Sequence, residues 1–251
     1  MITFTLRHLG PGPHPAGSPQ STHGGDENGD ILAVAPIDER KNYDQSVLPW
    51  SQRDDGWRDA ETARIKEEGD RVLREEFGRW AAKLDAKQQF ILGKWLGGYS
   101  EINYTARRPD FGNAAGYVDM LDHAMTHELS KPAVVYRGLR IGLVKDLEVG
   151  DVYRDDGFES TSLCNDVAEA FAAKWGADST GRLDFTKGAV CRLSLPAGTR
   201  CATPVMFGQM GTAETEILLP RQCQFRVDKI WTDEHTKLLH VEMTLIHGGK
   251  T

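Results

Sequence analysis

The 251-residue chain has only four cysteines, Cys164, Cys191, Cys201 and Cys223. They form no C-x-x-C pair and have no histidine partner at metal-ligand spacing, so neither a zinc knuckle nor a disulfide framework is signalled, and a reduced, cytosolic site of action is expected. Long apolar runs are missing: nothing is long enough to cross a bilayer, and Met1 to Leu9 lacks the apolar centre of a secretory signal. An excess of basic residues is missing too. The formal net charge of −7 argues against nucleic acid held on a broad basic surface. Internal repeats are absent, and no serine sits in the G-x-S-x-G elbow of an esterase. Gly249-Lys250-Thr251 has the ending of a phosphate loop, but Thr244 stands where that motif needs its first glycine.

What is present falls into segments of different texture. Residues 1–30 are dense in Gly, Pro, Ser and His beyond Leu9 and nearly free of large apolar side chains there, which predicts a disordered leader. Residues 31–54 form a linker in which Ile31 to Ala35 reads either as a strand fragment or as a docking peptide. From Asp55 the apolar residues Ile65, Val72, Leu73, Phe77, Trp80 and Leu84 recur at helical spacing, with charges filling the other face. Further helices are expected at Ala86 to Leu96, Ser100 to Ala106 and Ala114 to Leu129, punctuated by Gly97-Gly98, Pro109 and Pro132. After Pro132 the period becomes two. Strands are predicted at Ala133 to Arg137, Asp151 to Tyr153, Phe158 to Ser162, Ala189 to Leu195, Ala213 to Leu219, Phe225 to Trp231 and Leu238 to Ile246, with a helix at Asp166 to Trp175 and a hairpin joining the last two strands. Helices first and strands later is an α+β pattern. The division expected is a helical lobe over residues 55–131 and a β-rich core over 132–251.

Three constellations carry chemistry. Tyr136-Arg137-Gly138 ends a strand with a guanidinium fork beside a residue that lets backbone approach a ligand, although a structural ion pair serves the same residues. Ser160-Thr161-Ser162 alternates its hydroxyls, 160 and 162 on one face and 161 on the other. Glu214 and Glu216, one pleat apart on the expected strand, aim two repelling carboxylates at one side, unless that side is only a solvated edge. His123 and His127 stand at i and i+4 on the expected helix, but Ala124 replaces the glutamate of the metalloprotease pattern and no third ligand is evident, so no metal is expected.

Taken in order, aromatic-Arg-Gly, then Ser-Thr-Ser with a helix after it, then Glu-x-Glu on a late strand resemble the Arg-Ser-Glu class of mono-ADP-ribosyltransferases, which includes bacterial toxins and phage and type VI effector enzymes. Tyr99 to Asn103 with Arg107-Arg108 is similar to the first helical NAD contact of that family, Val167 to Ala172 to the helix after its serine motif, and Glu216 to Pro220 to its catalytic strand. The resemblance spans about Asp85 to Ile246.

It implies two packed β-sheets beside a helical lobe, with NAD consumed as a substrate in the cleft and no metal. Glu216 would stabilise the ribosyl cation and hold the ribose 2′-hydroxyl, and Ser160 would hydrogen-bond Glu216. Arg137 would pair with the NAD phosphates, Gly138 would offer its backbone to the nicotinamide amide, and Phe171 would pack on the nicotinamide ring. Thr161, Ser162, Lys174, Asn103 and Arg107 or Arg108 complete the implied NAD contacts. Arg137, Ser160 and Glu216 would have to converge on one cleft. In this class a glutamate at position 214 goes with arginine as acceptor, where a glutamine goes with asparagine. A guanidinium needs a carboxylate to hold it and take its proton. The segment Thr203 to Thr212, with Phe207, would meet the target protein. The implied partners are NAD, a target protein with an acceptor arginine and, for a toxin delivered by secretion or injection, an immunity protein. The competing readings are an NAD glycohydrolase on the same fold and a virion or binding protein that keeps the fold without turnover.

Overall fold

In the computed structural model, residues 31–32, 55–175, 185–207, 214–234 and 236–249 are described; the expected leader, most of the linker and residues 208–213 of the target-facing segment lie outside them. Three helices come first: α1 (Asp55–Ala81), α2 (Ala86–Arg107) and α3 (Ala115–Ala124). The strands follow: β1 (His127–Glu128), β2 (Ala133–Arg140), β3 (Val152–Arg154), β4 (Glu159–Ser162), then helix α4 (Asn165–Lys174), β5 (Gly188–Leu195), β6 (Arg200–Cys201), β7 (Glu216–Leu219), β8 (Cys223–Thr232) and β9 (Leu239–Gly248). The α+β class is as expected.

Seven strands hydrogen-bond in the order β3-β8-β9-β5-β2-β4-β7, and β1 pairs with β6 in a separate two-stranded sheet. Neighbours are antiparallel except β5 and β9. One core takes buried side chains from both ends of this order: Tyr153 and Phe225 from one side, Ile217 and Leu219 from the other, with Val135, Leu193 and Met243 between. The sheet is therefore bent around a shared interior. A second core joins α2 and α3 to the opposite face of β7 through Ile91, Leu92, Trp95, Ile102, Leu121, Phe158 and Leu218. Period-two alternation does this. Ile217 and Leu219 enter the first core and Leu218 the second, so Glu216, which shares the parity of Leu218, faces the helices.

Several boundaries differ from the sequence reading. Helix α2 runs unbroken through Gly97-Gly98. It starts firmly, with the Asp85 side chain accepting from the backbone of Lys87 and Gln88 while the Gln88 side chain accepts from the Asp85 N–H. Buried Ile91, Leu92 and Trp95 before the glycines and Ile102 and Ala106 after them hold one face against the core, and that burial outweighs a glycine cost of about 1 kcal/mol each. Helix α3 stops at Ala124 because the chain is captured by β6, with His127 paired to Cys201. His123 and His127 therefore do not share a helix. The His123 ring lies 2.6 Å from the Asp119 carbonyl, and the His127 Nε2 lies 2.8 Å from Glu76. Strand β2 does not stop at Gly138 but pairs with β5 as far as Arg140. Leu32 is buried and bridges in parallel to Ala133, which supports the strand-fragment reading for that point of the linker.

The most consequential difference is at β7. The strand begins at Glu216, and Thr215 has φ +43°. A β-branched residue with positive φ is strained by about 1–3 kcal/mol and persists only where its surroundings fix it. Here Thr215 is buried, its hydroxyl lies 2.9 Å from that of Ser162, and its carbonyl accepts from Leu163 N–H. Glu214 consequently sits in a turn and is not one pleat from Glu216 on a common strand.

Candidate active site

Register places the first pair of groups. Ser162 lies directly across from Glu216 and Ser160 across from Leu218, so Ser160 is the diagonal neighbour of Glu216 on the same face. The Ser160 side chain interacts with the Glu216 carboxylate and favours its charged form. A donor arrives from the helical lobe: the Trp95 indole Nε1 donates to Glu216 Oε1 at 3.0 Å. The Glu216 backbone is held as well, because Thr203 Oγ1 donates to its carbonyl at 2.8 Å. Glu216 is only 4% exposed while Ser160 is exposed, so the carboxylate is buried beside a serine that reaches the surface.

Burial lifts the Glu216 carboxyl from its ordinary value of 4.5 to about 7, against the opposing bonds from Ser160 and Trp95 and with a contribution from the charge of Glu214. Desolvation, more than the Glu214 charge, produces this rise.

Arg137 lies elsewhere. It shares the parity of Val135 and Leu139 on β2 and points, with Glu159 on β4, toward the main core. Its Nη1 is 2.8 Å from Glu159 Oε2, a close ion pair whose N–H does not line up as a hydrogen bond, and its Nη2 donates to Asp155 at 3.1 Å. Asp155 is gripped again by Arg107, through two bonds of 2.7 and 2.6 Å, and by the Gly157 N–H. Burial would raise the Asp155 carboxyl, but these bonds and both guanidinium charges win and hold it down at about 2. Glu159 is fully buried, and burial raises it to about 7 despite Arg137. Ser160 and Glu216 therefore meet, whereas the Arg137 guanidinium is taken up by two carboxylates on the other face of β4. Strand alternation is the reason: position 159 and position 160 cannot face the same way.

The remaining expected contacts divide similarly. Asn103 spends its amide on the Phe158 backbone, donating to the carbonyl at 3.1 Å and accepting from the N–H at 2.8 Å. Arg108 lies over the Tyr104 ring, and Lys174 lies 4.5 Å from the centre of the Phe171 ring. Ser162 is buried and bonded to Thr215 and to Cys164 N–H, and Thr161 donates to the Ile217 carbonyl. Gly138 is explained by packing: a Cβ there would sit 2.1 Å from the Ala168 carbonyl oxygen in α4. Phe207 closes a turn, Val205–Phe207, and meets Trp80 edge-on at 6.3 Å. A cavity of about 660 Å³ lined by Glu76, Trp80, Gln88, His127 and Ser130 opens between α1 and β1, and neither Ser160 nor Glu216 lines it.

Trp95, Glu159 and Asp155 were not among the residues singled out in the sequence. Trp95 had a legible signal, since a tryptophan on the buried face of a helix must find an acceptor for its N–H. The acid pair around Arg137 had none, because it depends on the β2–β4 register.

A model of the ADP-ribosyltransferase exoenzyme family matches residues 73–247. The chain belongs to that family. The resemblance drawn from the order of the Arg, Ser-Thr-Ser and Glu-x-Glu motifs is thereby borne out, and solved structures agree in fold. Plx2a, an ADP-ribosyltransferase toxin from Paenibacillus larvae, is 19% identical with a TM-score of 0.58, over 72% of this chain and 96% of its own. Vis toxin from Vibrio splendidus, an ADP-ribosyltransferase also solved with agmatine, is 19% identical with a TM-score of 0.59, over 79% and 90%. C3stau2 from S. aureus, solved with NAD, is 17% identical with a TM-score of 0.52, over 73% and 95%. Comparison with curated protein sequences gives no match. Among the described residues of this exoenzyme-family chain, no helix is long and apolar enough to cross a membrane, and no group of His, Cys, Asp and Glu side chains has the arrangement of a metal site.

Proposed function

We propose that the protein transfers ADP-ribose from NAD to an arginine of a target protein, with release of nicotinamide. The observation that carries this reading is the Glu216 carboxylate, buried yet held by the Trp95 indole N–H, with Ser160 beside it and Glu214 at the adjoining turn. As the bond from ribose C1′ to nicotinamide breaks, the electron pair leaves with nicotinamide and positive charge grows on the ribose. A fixed, buried carboxylate stabilises that charge without reorganising. A guanidinium nitrogen of the acceptor then bonds to C1′, and Glu214 takes the proton it loses. That Vis has been solved with agmatine, a small guanidinium compound, supports arginine as the acceptor type, and that C3stau2 has been solved with NAD supports the donor.

Arg137 takes a bracing part in this reading, beside the phosphate contact that the family resemblance implies: with Glu159 and Asp155 it anchors β4 from behind, so that Ser160 is presented to Glu216. Phe171, Lys174 and the exposed edge of Ser160 are the further groups that meet NAD, and Phe207 with residues 208–213 the segment that meets the target.

Incubation with NAD labelled in the adenylate part and a cell lysate tests the proposal. Label on protein, lost with Glu216→Gln by orders of magnitude, is expected, with mass spectrometry placing ADP-ribose on arginine. Free nicotinamide without labelled protein would replace transfer by hydrolysis, and label removed by nuclease would move the acceptor to nucleic acid. A protein that consumes no NAD would be a binding module on this fold.

A further inference from the structure

We propose that Trp95 is a positioning residue for the Glu216 carboxylate, acting through its indole N–H, a role beyond the serine contact that the motif implies; this rests on Glu216 being the catalytic acid. Trp95 is 2% exposed, and its ring is walled by Phe158, edge-on at 5.9 Å, and by Tyr99 at 6.1 Å. It projects from the face of α2 that carries Ile91, Leu92 and Ile102 into the second core. Its one polar atom therefore has to be satisfied inside the protein, and the acceptor found is 121 residues away across the interface between lobe and sheet. The contact ties the helical lobe to the catalytic strand at the one atom whose placement matters most for the chemistry.

The two polar groups beside the Glu216 carboxylate, Trp95 and Ser160, are not equivalent. A serine hydroxyl rotates and both donates and accepts, so it follows the carboxyl through either protonation state. An indole N–H only donates and cannot turn. It therefore favours the ionised carboxylate that the cationic transition state needs, and works against the burial that favours the neutral acid. It also fixes which oxygen points toward the lobe, leaving the other for Ser160 and the substrate.

Two measurements test this. In the unmodified protein the six tryptophans give six indole N–H signals in a ¹⁵N-correlated spectrum. One of them is expected to move with pH along a single titration curve with its midpoint near 7, and that movement is expected to vanish in Glu216→Gln. Absence of any titrating indole signal, or its persistence in Glu216→Gln, would overturn the proposal. Second, Trp95→Phe keeps an aromatic ring and removes the N–H. The acid limb of kcat/KM for nicotinamide release is expected to move up by about one pH unit, so that the variant loses roughly tenfold more activity at pH 6 than at pH 8.5. An equal loss at both pH values would mean that the ring only fills space, and would overturn the positioning role. If the indole signal follows Glu216 but no nicotinamide is released at any pH, the contact stands and the transferase reading falls.

Discussion

Replacing Glu216 by glutamine is expected to stabilise the protein while abolishing its activity, and the gain should depend on pH in a set way. The carboxyl is buried and its folded-state pKa of about 7 lies above the ordinary 4.5. Below pH 4.5 the group is protonated in both the folded and the unfolded chain and costs nothing. Between 4.5 and 7 the unfolded chain has lost the proton and the folded one keeps it, so folding becomes less favourable as the pH rises. Above 7 the full penalty is in place, about 3 kcal/mol from the separation of the two pKa values. Glutamine has the same shape, still accepts from Trp95 and carries no charge to desolvate. Urea unfolding at pH 5.0 and pH 8.5 reads the difference: a gain of roughly 1 kcal/mol for the variant at pH 5.0, and of about 3 kcal/mol at pH 8.5. In melting temperature this corresponds to roughly 6–12 °C for a chain of this size. A gain that is the same at both pH values, or a loss at pH 8.5, would refute the account of Glu216 as an acid held against its solvation preference.

Glu159→Ala leaves the Arg137 charge in a buried site with Asp155 as its one remaining acid partner, and urea unfolding at pH 7 should show a loss of about 3–5 kcal/mol. Asp155→Asn should cost about 2 kcal/mol at pH 7. The folded-state pKa is depressed, so the contribution is present above 3.8, and the gap to wild type should close as the pH falls from 5 toward 2 in urea titrations. Gly138→Ala should cost at least 1–3 kcal/mol, because the new methyl group meets helix backbone at Ala168 and Ala172, not a side chain that can swing away. Its circular dichroism melt should fall accordingly, and a melt unchanged from wild type would deny the close approach of α4 to β2.

How much could be read in advance varied with the kind of interaction. The strands were legible because alternation is a local property: Ala133 to Arg137, Ala189 to Leu195 and the closing hairpin were placed to within a few residues. The order of motifs was legible for the same reason. Helix α2 was broken in two on paper because Gly97-Gly98 is a local stop signal, while the burial that overrides it comes from α3 and β7. Helix α3 was overextended because the pull of β6 on His127 comes from a segment more than seventy residues later. The residues alone leave Arg137 between a ligand contact and a structural ion pair, because a guanidinium at a strand end serves either. Its partners follow from which residues of β4 share its face, and that required the register Tyr136 to Ser162.

The Glu-x-Glu stretch illustrates both sides of this. Read as a plain strand, it puts two carboxylates on one pleated face, where they would compete for the same protons and the same solvent. The left-handed backbone at Thr215 removes that conflict. It lets Glu216 turn inward to Trp95 while Glu214 stays half-buried at the turn, next in sequence to the segment that runs from Phe207. Two acids separated by a single residue thereby gain unlike surroundings, one desolvated and bonded to Trp95, the other half-buried at a turn. Unlike surroundings are what two carboxylates need if one is to face a ribosyl cation and the other an incoming guanidinium. The strain at Thr215 is held by Ser162, so the last serine of the Ser-Thr-Ser strand acts on Glu214 and Glu216 through the backbone, as its first serine acts on Glu216 through the carboxylate.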